Sequence, residues 1–180
     1  MESMKTMEDK ILSEEVKEQH EVAKKVQALL ESNGWKYEKH EGKENKLVMP
    51  FRLTNLTAIV IVTISEEVDA ISVKVLMQDK CDKKFFLAIN DYFARTNYSL
   101  RYGAFHIDHD DGELSYRYAT QCTVDTFDEE TIDDYIRICM NTVDKHYPVI
   151  ERLATGQLTS DEKKRYLMQS KMLVMGVREE

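Results

Sequence analysis

The sequence predicts an α+β domain: an antiparallel sheet with helices, in the order α-βββ-α-ββ-α, followed by a C-terminal helix. Two patterns carry this. Apolar residues recur at helical spacing in some segments and at alternate positions in others. Within each group of strands the connections are only a few residues long, which allows antiparallel hairpins and excludes parallel crossovers. The chain has 180 residues, 42% of them hydrophobic, enough for one packed core and against wholesale disorder.

The first helix is read from residues 13–34. Ser13 can cap it, Glu14 and Glu15 suit its positive N-terminal end, and Gly34 stands at the C′ position. Val16, Ala23, Val26 and Leu30 form its apolar stripe, with Val22 and Leu29 beside them. A strand over 46–53 puts Leu47, Met49, Phe51 and Leu53 on one face. Pro50 lacks an N–H and so places this strand at an edge or a bulge. Residues 56–64, LTAIVIVTI, are apolar on both faces, as in a doubly covered strand. Ile71, Val73, Val75 and Met77 then share a face. The segment DKKFFLAINDYFARTN is a second helix, capped by Asp82, with Phe85, Ile89, Tyr92, Phe93 and Thr96 inward.

Two strands follow, over about 99–108 and 113–124. A third helix begins near Asp128, capped by Asp128 or by Thr126 with Glu129. Its stripe is Ile132, Tyr135, Ile136, Cys139, Met140, Val143 and Tyr147. Pro148 is expected to bend or break it, and Gly156 to end it. Thr159 and Glu162 make a capping box before a last helix, on which Met168, Met172 and Met175 form a stripe. The chain divides into an extension (1–12), the α+β domain (13–156) and a helical extension (157–180).

The stretch HIDHDDGE, residues 106–113, looks like a site because it gathers two histidines and four carboxylates. A turn explains it better. Strand residues alternate on both sides, and Asp110-Asp111-Gly112 supplies turn chemistry, with Arg117 able to reach Asp108 across the hairpin. Calcium-loop spacing fails, since Gly112 would fall at position 5 and Ala119 at position 12. A zinc site from His106 and Asp108 has no third or fourth ligand marked. Cys139 and His146 are seven residues apart on a helix, and Cys139 falls in the apolar stripe, so it reads as a buried thiol.

Composition narrows the function. The net charge of −8 disfavours sequence-independent nucleic-acid binding. Three cysteines without a CxxC spacing suit reduced thiols. No apolar run approaches a membrane span and no secretory leader is visible, so the expected location is the cytoplasm, without membrane partners. Neither a phosphate-binding glycine loop, nor HExxH, nor GxSxG occurs. No catalytic residue, cofactor or metal ligand is assigned, and the protein is expected not to be an enzyme.

The stretch NDYFARTNYSLRYGAFHIDHDDGELSYRYATQC, with Asn90, Asn97, Gly103-Ala104-Phe105 and the acidic turn at 108–112, resembles the YbjN-like family of bacterial sensory transduction regulators. That family is similar in fold to the type III secretion chaperones. The resemblance covers most of 13–155. It implies a homodimer that binds another protein, chaperone-like or regulatory, and brings no catalytic residues with it. The surface expected for a partner or a second copy comprises Leu56, Ile59, Val60, Ile61 and Val62, with Met168, Met172 and Met175. The alternative is a small-molecule or metal sensor built on His106, Asp108 and His109.

Overall fold

The computed structural model describes residues 21–40, 43–65 and 68–158. The cap at Ser13 and the methionine stripe of Met168, Met172 and Met175 lie outside them. Helix α1 is seen over 21–32 and buries Val22, Val26, Leu29 and Leu30. It closes as the sequence predicts. Gly34 has φ +70°, and the N–H groups of Gly34 and Trp35 donate to the carbonyls of Glu31 and Leu30 at 2.9 Å each.

The strands are β1 (Glu38–His40), β2 (Lys43–Arg52), β3 (Thr57–Ser65), β4 (Ala70–Lys80), β5 (Ala104–Ile107) and β6 (Glu113–Gln121). They form one antiparallel sheet in the order β1-β2-β3-β4-β6-β5. Between β4 and β5 a 3₁₀ turn (Lys83–Phe85), capped by Asp82, leads into α2 (Phe86–Ser99). Helix α3 (Glu129–Ala154) follows β6; Asp128 caps it by accepting the Thr131 N–H at 2.9 Å. Thr126 instead pairs with Thr123.

Alternation decides the layers. Leu47 and Met49 on β2, Ala58, Val60, Val62 and Ile64 on β3, Ile71, Val73 and Val75 on β4, and Leu114 and Tyr116 on β6 are buried in one cluster with the helix stripes. The three helices therefore cover one face of the sheet, and no described helix covers the other.

Three details correct the sequence reading. Strand β1 was not expected: Glu38, Lys39 and His40 are all exposed, so no alternation marks them. Pro50 does not put the whole of β2 at the edge. β1 begins opposite Val48, so the stretch of β2 after Val48 lacks an outer neighbour. Helix α3 does not break at Pro148. A proline there leaves the Asp144 carbonyl without its helical donor. Asn55, in the β2–β3 turn, fills the gap: its Nδ2 donates to the Asp144 carbonyl at 2.9 Å, and its backbone N–H donates to Asp144 Oδ1 at 2.7 Å. Past the proline, Val149, Ile150, Leu153 and Ala154 are buried and hold the last turns in place. Gly156, at φ +75°, then ends the helix.

Candidate functional site: the helix-free face of the sheet

Strand pairing lays the side chains of the helix-free face out in rows. One row runs Pro50, Ile59, Leu76, Ser115, His106 from β2 to β5. The next runs Val48, Ile61, Lys74, Arg117, Ala104. A third holds Lys46, Thr63, Ser72 and Ala119. The face thus has an aliphatic part on β2 and β3, with Leu76, and a polar part toward β6 and β5. A recess of about 450 Å³ is lined on the polar side by Ser72, Lys74, His106, Asp108, Ser115 and Arg117, and it extends to Lys46, Ile61 and Thr63 on β2 and β3.

The expected partner surface divides on this geometry. Leu56, Val60 and Val62 are buried beneath the helices and face the core. Ile59 and Ile61 face away from it, Ile59 at 44% exposure and Ile61 at only 9%. A strand apolar on both sides is real here, yet only its odd-numbered residues reach the helix-free face.

HIDHDDGE is the turn of a hairpin. The Asp108 N–H donates to the Glu113 carbonyl and the Gly112 N–H to the Asp108 carbonyl, both at 2.8 Å. Asp108 Oδ1 accepts from the Asp110 N–H at 2.8 Å, and Asp111 Oδ1 from the Glu113 N–H at 2.9 Å. These carboxylates shape the loop, and Asp111 also pairs with Lys80. Gly112 has φ +79°, and a Cβ on it would run into the Cys81 carbonyl oxygen.

The two histidines part company. His106 points into the recess, whereas His109 lies against the Phe86 ring (centroids 5.2 Å apart) and within 3.1 Å of Asn90 Nδ2. The candidate trio of His106, Asp108 and His109 is therefore not assembled. Among the described residues no three His, Cys, Asp or Glu side chains converge to hold a metal. Nor does Arg117 pair with Asp108. The register sets Arg117 opposite Ala104 and Lys74, while Asp108 lies beyond the far end of β5. It is Lys74 that finds a carboxylate, Glu113, at 2.7 Å.

Burial, then the charges of Arg117 and Lys74, hold the His106 imidazole below its ordinary pKa. On the core side, Tyr92 OH and His146 Nδ1 share a 2.8 Å hydrogen bond, and burial likewise depresses His146. Cys139 is wholly buried and its thiol is pushed up to about 12; Cys81, Cys122 and Cys139 are all free. Neither Cys139 nor His146 reaches the recess.

With this geometry in place, comparison with known proteins places the chain. The YbjN family, described as "Putative bacterial sensory transduction regulator", matches residues 23–152. The chain belongs to the YbjN family. The crystal structure of YbjN from E. coli, a "putative transcription regulator", has the same fold. The TM-score is 0.55 at 10% identity, over 74% of this chain and 92% of that one. No curated protein matches in sequence.

The residues that suggested the YbjN likeness have structural work to do. Gly103 has φ +64°, and a Cβ there would meet the Arg117 carbonyl oxygen at 2.6 Å and the Tyr116 ring at 2.8 Å. Tyr116, fully buried, donates its hydroxyl to the Tyr102 carbonyl just before this glycine. Asn97 holds the edge strand: its Nδ2 donates to the Phe105 carbonyl at 3.0 Å and its Oδ1 accepts the Phe105 N–H at 2.8 Å. The motif is thus a device for seating β5 and its hairpin. Sequence reasoning had missed Lys74, Ser115 and Arg117 as members of a recess, because only strand pairing brings them beside His106.

Proposed function

We propose that the protein is a non-catalytic regulatory module that binds another polypeptide on the helix-free face, a second copy of itself in the first instance. One observation carries the reading. The face presents Val48, Pro50, Ile59 and Leu76 around the nearly buried Ile61, with polar groups beyond them, the pattern of a protein interface core with a polar rim. The sheet edges are poorer candidates for a partner strand. β1 has only three residues, and the backbone of β5 at Phe105 is occupied by Asn97. The family's description as regulators supports a role without catalysis.

The test is the oligomeric mass of the full chain. A homodimer of two 21.1 kDa protomers is expected at micromolar concentration. Ile59→Asp should dissociate it without lowering the melting temperature much, because Ile59 is already half exposed. A parent that stays monomeric on concentration would overturn self-association. A variant that stays dimeric would move the interface off this face.

A further inference from the structure

We propose that the polar recess of the helix-free face is a binding site for a small anion, a carboxylate or a phosphate group, held chiefly by Arg117 with Lys74 and His106. Arg117 and Lys74 are direct cross-strand neighbours, and His106 and Ser115 pair in the adjoining row. Like charges set opposite each other work against strand pairing. Lys74 is relieved by Glu113, but among the described residues Arg117 forms no ion pair. An exposed guanidinium keeps a planar fork of donors free, the geometry that takes a carboxylate or phosphate in two parallel hydrogen bonds.

The charges facing the recess come from four places. Lys46 stands on β2, Lys74 on β4, Glu113 and Arg117 on β6, and Asp108 just after β5. Three cations meet two carboxylates. One carboxylate is engaged by Lys74 and the other accepts the Asp110 N–H. The local balance is therefore positive on a chain whose net charge is −8. Ser72 and Ser115 supply hydroxyl donors in the same recess. Its 450 Å³ falls within the range of small-molecule sites, roughly 300–1,000 Å³. The recess meets the aliphatic part of the face at Ile61, and its charged residues lie outside that part.

His106 makes the site readable. Burial, and after it the charges of Arg117 and Lys74, disfavour an imidazolium at His106. A bound anion reverses the sign of that field, so anion and proton should bind His106 and its neighbours cooperatively. The experiment is an imidazole NMR titration of the full chain in sodium phosphate, in sodium citrate, and in sodium chloride of the same ionic strength, with His106 assigned through His106→Gln. At least one of the two anions should raise the His106 midpoint by about half a unit or more, with His109 and His146 unmoved. Arg117→Gln, on an exposed side chain, should abolish the shift, and Lys74→Gln should weaken it. A phosphate effect alone assigns a phosphate ligand, and a citrate effect alone a carboxylate. If neither anion moves His106 beyond the chloride reference, or if the shift survives in Arg117→Gln, the proposal is overturned.

Discussion

Replacing Gly112 by alanine should destabilise the fold far more than the same change at Gly34, although both glycines have left-handed backbones, with φ +79° and +70°. At Gly34 a Cβ would meet nothing within 4 Å, so only the backbone conformation is penalised, at about 1 kcal/mol. At Gly112 the same penalty applies, and the new methyl runs into the Cys81 carbonyl. That contact involves backbone on both sides, so no side chain can swing away. Relief requires separating the two segments, which stretches the 2.9 Å bond from the Cys81 N–H to the Gly112 carbonyl. A lost hydrogen bond adds about 1 kcal/mol. The strain of shifting β4 against the hairpin brings the total to about 3 kcal/mol, of which about 2 kcal/mol comes from the contact, within the roughly 1–3 kcal/mol that overpacking typically costs. Urea unfolding of the two variants is the assay. With a slope of about 2 kcal/mol/M, Gly112→Ala should lower the midpoint by more than about 1 M and Gly34→Ala by about half that or less. Equal losses would refute the reasoning, since they would mean that the approach of Cys81 to the turn costs nothing to relax.

Further expectations follow from the same contacts. Asn97→Asp keeps the shape but sets a carboxylate oxygen against the Phe105 carbonyl, and should cost about 1–3 kcal/mol in urea unfolding; a neutral result would mean that Asn97 does not hold β5. His146 has a folded pKa below its ordinary 6.5, so its contribution to stability is present above that value and is lost as pH falls through it. His146→Phe should therefore flatten the stability profile between about pH 7 and 5, and an unchanged slope would count against a buried neutral imidazole. Tyr116 is raised to about 12 from 10.0 by burial, so the stability it lends is complete below pH 10 and declines as pH rises through about 12; Tyr116→Phe should lessen the alkaline loss measured by thermal melts. The three cysteines are buried, and a thiol reagent should label none of them in the native protein at pH 8 but all three after unfolding; fast native labelling would show that the core opens locally.

Local pattern was enough for most of the fold. The stripe of α1 with Gly34 after it, the cap at Asp128, the alternation of β4 and the acidic turn ending in Gly112 could all be read from the chain, because each depends on neighbours within a few residues. Short connections fixed the antiparallel sense for the same reason. Other features depend on residues far apart in sequence. Asn55 reaches Asp144 across 89 positions to make Pro148 tolerable inside α3, and nothing near the proline announces it. Strand β1 has no buried side chain to mark it and exists by pairing with β2. The recess is assembled in the same way. Alternation put His106 and Asp108 on one face, but only the insertion of β6 between β4 and β5 sets Lys74 and Arg117 beside His106, while the turn carries His109 away toward Phe86. Periodicity shows which face of a strand each side chain occupies. Which strands lie next to each other depends on the packed tertiary structure, and so does the chemistry of this face.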